Sequence, residues 1–270
     1  MSESRAFRPE CTAPVRFAVM KQQWRDLAYL HFPYDPADVA RLLPAGLEVD
    51  TFDGVAWVGL IPFSMKGVGV PGLPAVPYLG SFPEINVRTY VVRNGIPGVW
   101  FFSLDVNRLL PALVARAAYR LPYCWGRASN TLHDDVLSTQ VRRRWPHRGA
   151  DTEITVQVGE EISEQSEFEV FLTARWGLYS RSYGRGLMYA PVDHPPLVAL
   201  SRRNHRAQRH TRACCRPPRI TRRTALHVLA RCSGAHRCAA TRDVVIGCSC
   251  VSFCGRSPTR DDQGDGISHG

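Results

Sequence analysis

No apolar run in this chain is long enough to cross a bilayer as a helix. The longest, Val55 to Phe63, is nine residues, against the roughly 20 that a spanning helix needs. Residues 1–30 carry Arg5, Arg8, Arg16, Lys21 and Arg25 but lack the apolar segment of a secretory signal. A cytoplasmic protein without membrane contact is therefore expected. There is no G-x-S-x-G elbow, no H-E-x-x-H and no Walker loop. Lysine is nearly missing, with Lys21 and Lys66 the only two among 34 basic residues. Cysteine is scarce over residues 1–196, where only Cys11 and Cys124 occur; this fits a reducing compartment without a disulfide framework.

What is present is unevenly spread. The 270 residues carry a formal charge of +10 and nine cysteines, which together suggest a nucleic-acid or metal partner. Residues 197–270, however, hold 14 of the arginines, four of the acids and seven of the cysteines. Residues 1–196 thus balance 20 bases against 20 acids. Two compositions meet near Pro196, and the first is long enough to bury a sizeable core.

Residues 1–196 read mainly as antiparallel strands joined by tight turns. Asp53-Gly54 and Asn94-Gly95 each separate two apolar stretches, the strongest local hairpin signal. Leu27–Phe32 is expected as a strand, and Asp35-Pro36 as the start of a short helix ending before Pro44. Leu109, Leu110, Leu113, Val114, Ala117 and Leu121 recur at helical spacing up to Pro122. Strands are expected at 127–131, 136–143 and 152–158, and a helix over 164–179 with Phe168, Phe171, Leu172 and Trp176 on its buried side. Residues 64–83, rich in Gly and Pro, read as a long loop.

Two motifs have bland explanations. Gly67-x-Gly69-x-x-Gly72 matches a dinucleotide-binding spacing, but Pro71 and Pro74 prevent the helix that must follow it. No cofactor is expected. His133-Asp134-Asp135 lies between two strands, where adjacent acids usually build a turn; no metal site is assigned to it. The segment Phe82–Val91 is more informative. On a strand, Glu84, Asn86, Arg88 and Tyr90 share one face, and Ile85, Val87, Thr89 and Val91 the other. The first set suits either a solvated face or the lining of a polar cavity. Tyr123 and Trp125, just beyond the 109–121 helix, add aromatic groups that could line the same space.

Several stretches, taken in order, resemble a known family. They are Trp24–Leu27, Leu43-Pro44-Ala45-Gly46-Leu47, Phe52–Leu60, Ile61-Pro62-Phe63, Phe82–Val91, Gly98–Asp105 and Leu121-Pro122-Tyr123. They are similar to the YqjF-like bacterial proteins of unassigned function, grouped with the acetoacetate-decarboxylase-like superfamily. The resemblance covers about residues 20–196. It implies an α+β, mostly antiparallel fold: a closed β-barrel or cone with peripheral helices and a central pocket for a small molecule. The decarboxylase works through a lysine Schiff base, and that lysine follows a proline in the segment that Leu121-Pro122-Tyr123 resembles. Here Tyr123 holds the place, and a phenol forms no imine. The resemblance thus implies the fold and a pocket without the decarboxylase nucleophile. Glu84, Asn86, Arg88, Tyr90, Tyr123 and Trp125 are the candidate pocket residues, for an enzyme or a sensor of unknown ligand.

The tail departs from the family, whose members continue past a segment like His194-Pro195-Pro196 with tryptophan and later an aromatic-Ser-Pro-Gly-Val motif. Back-translation with a one-nucleotide shift permits Trp at 197, then an amphipathic stretch, then Phe-Ser-Pro-Gly-Val from codons 228–233. Residues 197–270 are accordingly expected to be a frameshifted, disordered tail that truncates the barrel domain of residues 1–196. The alternatives are a nucleic-acid- or metal-binding tail, or a defective product. Cys214-Cys215, Cys248-x-Cys250 and the scattered histidines lack the paired spacing of zinc modules. A small molecule, with self-association left open, is the expected partner rather than nucleic acid.

Overall fold

The computed structural model describes residues 15, 17–161, 164–184 and 186–194, together with the strand backbone of 199–211, 226–230 and 244–247. In chain order, the elements to the middle of the chain are β1 (Ala18–Arg25), β2 (Leu27–Tyr34), α1 (Pro36–Ala40), β3 (Glu48–Val49), β4 (Thr51–Phe52), β5 (Val55–Gly69), β6 (Phe82–Arg93) and β7 (Ile96–Val106). They continue as α2 (Leu109–Tyr119), β8 (Tyr123–His133), β9 (Val136–Trp145), β10 (Ala150–Glu161), α3 (Glu167–Thr173), β11 (Gly177–Arg181) and β12 (Leu187–Asp193). Three strands follow, β13 (Ala199–Thr211), β14 (Leu226–Ala230) and β15 (Val244–Gly247).

Local chemistry sets most boundaries. Asp53 and Gly54 (φ 51° and 75°) and Asn94 and Gly95 (φ 50° and 78°) take the left-handed backbone that a two-residue hairpin turn requires. Asp134 and Asp135 do the same between β8 and β9 without a glycine (φ 48° and 58°), so the acidic pair is a turn, as expected. The Asp35 carboxylate accepts from Ala37 N–H at 2.7 Å, and Pro36 opens α1. A reciprocal capping box between Ser166 and Glu169 starts α3.

Two expectations need correction. The stretch 64–69 is not loop: β5 continues through it because β1 supplies a second partner there, with Trp24 opposite Met65 and Arg25 opposite Ser64. The helix expected over 164–179 stops at Thr173, and Gly177–Arg181 is a strand pairing with β12 and, in parallel, with β7. Its apolar spacing is shared between a two-turn helix and a buried strand, which periodicity alone does not separate.

The long strands β5 and β7 each change partner along their length. β5 pairs with β2 over Ala56–Leu60 and with β1 over Ser64–Gly69. β7 pairs with β11 at Val99 and Trp100 and with β8 over Leu104–Val106. The sheet therefore closes on itself twice. One ring runs β2-β5-β6-β7-β8-β9-β10-β13-β14 and back to β2; the other runs β1-β5-β6-β7-β11-β12-β15 and back to β1. Strands β5, β6 and β7 belong to both rings, so alternate residues on them face two different interiors.

The first interior is apolar: Leu30, Leu60, Ile85, Val87, Leu137, Val141, Ile154 and Val156 form one buried cluster. Towards the second interior lie Tyr29, Ile61, Phe63 and Met65 from β2 and β5, then Tyr90, Val99 and Leu178, with Phe171 and Leu172 of α3 packed against them. This double coverage is why β6 is buried on both faces from Glu84 to Val91. The sheet also crosses the composition break at Pro196, since β13, β14 and β15 pair with β10, β2 and β1. Residues 212–225, 231–243 and 248–270 of the expected tail lie outside the described residues.

Candidate ligand site in the second interior

Glu84, Asn86, Arg88 and Tyr90 all face the second interior from β6, and all are buried. Of the two readings open for this face, solvated or interior, the interior one holds. Glu84 lies opposite Phe63 on β5 and Val106 on β7; Asn86 lies opposite Ile61 and Leu104. The polar row is thus walled by apolar neighbours.

At one end of the row, Tyr123 donates its hydroxyl to Glu84 Oε2 at 3.0 Å. The parallel register of β7 and β8, with Leu104 opposite Tyr123, brings the phenol to this face. Burial is the main force on the Glu84 carboxyl and pushes its pKa up to about 8; nearby Asp105 adds to the rise, and the Tyr123 hydrogen bond works against it. The carboxyl is therefore mostly protonated at neutral pH. Burial likewise drives the Tyr123 phenol well above its ordinary value, with Glu84 adding to the effect, so this pair is an uncharged donor–acceptor unit. Trp125 stands two residues further along β8, half-buried in the same apolar cluster, with the Arg144 guanidinium 5.8 Å from its ring centre.

At the other end, Arg88 donates from Nη2 to the carbonyl of Leu172 at 3.2 Å and to the Tyr90 hydroxyl at 3.4 Å. Its guanidinium carbon is 5.2 Å from the Tyr29 ring centre and 5.5 Å from that of Tyr90. Tyr90 donates to the Leu172 carbonyl at 2.9 Å, leaving its oxygen to accept from His31 Nε2 at 2.6 Å; the His31 proton is then on Nε2. The register explains the fit: His31, Gly59 and Arg88 lie side by side across β2, β5 and β6. A Cβ on Gly59 would lie 3.0 Å from His31 Nε2, so only glycine leaves the imidazole its place.

Arg88 is 8% exposed and Glu84 2%, and the charge around Arg88 does not balance. Arg175, buried at the end of α3, pairs with Asp50 Oδ2 at 2.5 Å and lies 4.7 Å from the Tyr90 ring centre. Among the described residues no carboxylate pairs with Arg88, and its Nε has no partner. The Asn86 Oδ1, between the two ends, also lacks a partner. Five of the six expected residues thus line one continuous face, and Trp125 lies at its Tyr123 end. His31, Arg175 and Asp50 were not anticipated. His31 reads as one more member of an alternating strand, and Arg175 and Asp50 meet only through a fold that brings residues 125 positions apart into contact.

Neither lysine serves this face: Lys66 is exposed near the end of β5, and Lys21 lies on β1 opposite Gly69. Gly67 and Gly69 lie within β5 and no helix follows Gly72, so the dinucleotide spacing is accidental, as expected. Among the described residues no group of three or more His, Cys, Asp or Glu side chains could hold a metal ion. No described helix is long and apolar enough to cross a membrane.

The DUF2071 family, described as an uncharacterized conserved protein family, matches residues 21–218. The chain belongs to the DUF2071 family. That match also crosses the composition break at Pro196. The uncharacterized protein YqjF of Bacillus subtilis (strain 168) is a relative, 32% identical over 179 residues, or 66% of this chain and 74% of that protein. Among solved structures, an acetoacetate decarboxylase from Legionella pneumophila aligns with a TM-score of 0.57 at 13% identity, covering 88% of this chain and 90% of that one. The enduracididine biosynthesis enzyme MppR, complexed with pyruvate, aligns with a TM-score of 0.54 at 12% identity over 87% and 89%. An acetoacetate-decarboxylase-like enzyme from Sphingomonas wittichii RW1 aligns at 0.53 and 14% over 89% and 93%. This DUF2071 chain accordingly has the acetoacetate-decarboxylase-like fold: a mostly antiparallel sheet, curled, with few helices.

Proposed function

We propose that this DUF2071 protein binds a small organic acid in its second interior, without covalent attachment, with Arg88 as the anchor for the carboxylate. One observation carries the reading: the buried Arg88 has no acidic partner among the described residues, in a region where the neighbouring Arg175 has one. A buried cation without a counter-charge is costly, and a guanidinium matches a carboxylate geometrically. A bound monoanion balances Arg88 as Asp50 balances Arg175. The pyruvate bound by MppR and the acetoacetate that the aligned decarboxylase is named for support the same ligand class by analogy of fold.

Attachment as an imine is disfavoured by chemistry. The phenol of Tyr123 faces the row, and the two lysines lie away from it. Arg88 would orient the acid and the Tyr90–His31 pair would hold the guanidinium in place. Glu84 and Tyr123 would bound the far end of the ligand with uncharged polar groups. The test is a thermal-stability screen with pyruvate, acetoacetate and butyrate, followed by cyanoborohydride treatment and intact-mass measurement. The reading expects stabilisation by at least one acid, loss of that effect in Arg88→Met, and no mass adduct. A reduced adduct with pyruvate or acetoacetate would overturn the non-covalent reading.

A further inference from the structure

Asn86 is a buried side-chain amide with an unpartnered oxygen, and that is informative about what the ligand carries. Its neighbours across the sheet, Ile61 on β5 and Leu104 on β7, are apolar and buried, so neither can supply a hydrogen bond. Along β6 it sits two residues from Arg88 on the same face, roughly 7 Å between Cα positions at the usual strand rise. The other polar end is occupied, since Tyr123 donates to Glu84. A polar atom buried without a partner is a standing cost, and a ligand group placed a few bonds from a carboxylate on Arg88 would meet it.

We propose that the acid held at Arg88 is a short hydroxy acid, with its carboxylate on the guanidinium and its hydroxyl hydrogen-bonded to the Asn86 amide. This rests on the carboxylate reading of Arg88 and goes beyond it by naming the second functional group. A hydroxyl both donates and accepts, so it satisfies the amide in either orientation, whereas an oxo group can only accept. An ammonium group donates too, but it would be a second buried cation beside Arg88. The uncharged Glu84 carboxyl offers it no counter-charge. A plain alkyl acid would leave the amide unsatisfied, and sites built to bond a hydroxyl discriminate against analogues that lack one.

The experiment is calorimetric titration of the full chain with both enantiomers of 3-hydroxybutyrate and with butyrate, repeated on Asn86→Leu and Arg88→Met. The expected result is binding of one 3-hydroxybutyrate enantiomer about tenfold tighter than butyrate, the size of one good hydrogen bond. In Asn86→Leu that preference falls to within about twofold while butyrate affinity is kept, which also shows that the variant folds; Arg88→Met binds neither. Equal affinities for butyrate and both enantiomers in the unmodified chain would overturn the hydroxy-acid inference while leaving the carboxylate reading standing. A preference that survives Asn86→Leu would overturn the role of Asn86. Binding unaffected by Arg88→Met, or no binding of any acid, would overturn both.

Discussion

The two interiors share three strands, and only the second holds, beside a paired buried arginine (Arg175 with Asp50), one that has no carboxylate partner among the described residues. In the first, Arg143 of β9 donates to both carboxylate oxygens of Asp105 at 2.6 Å each, both side chains are buried, and Asp105 lies opposite Ile85. That is a closed structural pair in an apolar core. In the second, Arg88 has the Leu172 carbonyl, the Tyr90 and Tyr29 hydroxyls and both of those rings around it, and no carboxylate among the described residues. Burial alone is common to Arg143, Arg175 and Arg88; the missing protein counter-charge is what sets Arg88 apart and motivates its proposed role.

The largest effects should come from breaking the balanced side. Asp105→Ala leaves Arg143 buried without its partner, and the expected loss is about 3–5 kcal/mol in a denaturation experiment. Arg88→Met should behave differently, costing less than about 2 kcal/mol or even stabilising the ligand-free chain, because it removes a buried charge with no carboxylate partner among the described residues. Equal losses in the two variants would erase the contrast.

An intermediate effect concerns Glu84. Its folded-state pKa is raised to about 8, above the ordinary carboxyl value, so the folded chain holds a proton there that the unfolded chain has released. Stability from this group is fully present below about pH 4.5, is lost as pH rises to about 8, and changes no further above it. The expected decline is on the order of 5 kcal/mol across that window, and Glu84→Gln should flatten it. A decline that is unchanged in Glu84→Gln would place its origin elsewhere.

The smallest effect tests the turn chemistry. Asp134 takes a positive φ without being glycine, so Asp134→Gly is expected to gain about 0.5–1 kcal/mol, read as a small rise in Tm. A loss would mean that the exposed contact to His133 matters more than backbone strain.

Much of this was legible from residue order. The hairpin turns at Asp53-Gly54 and Asn94-Gly95 announce themselves because few residues tolerate that backbone. The alternation of Glu84, Asn86, Arg88 and Tyr90 places them on one face from residue order alone. What alternation cannot state is which environment a face meets. β6 serves two rings, so both of its faces are buried, and that follows only from β5 and β7 each changing partner. The end of α3 was missed because Phe171, Leu172 and Trp176 keep a helical spacing across a helix–strand junction. His31 and Arg175 were missed because their partners lie far off in sequence.

The same register bears on the tail. Positions 205 and 207 of β13 lie opposite Val156 and Ile154, both buried in the first interior. The chain has His205 and Ala207, and the one-nucleotide shift permits Ile and Leu at those positions. A reading-frame shift near Pro196–Leu197 is therefore proposed. Sequencing the gene should find Phe-Ser-Pro-Gly-Val in the shifted frame at codons 228–233; an earlier stop codon there would rule the shift out.

Arg88 is proposed to hold a small carboxylate that completes the charge balance of the second interior. The most direct test of that role is the melting temperature of the full chain and of Arg88→Met, each with and without saturating pyruvate, acetoacetate or butyrate. A ligand bound only by the folded state raises Tm in proportion to its occupancy. The account predicts a rise for the unmodified chain with at least one of these acids and none for Arg88→Met. The same rise in both proteins, or no rise with any acid, would contradict it.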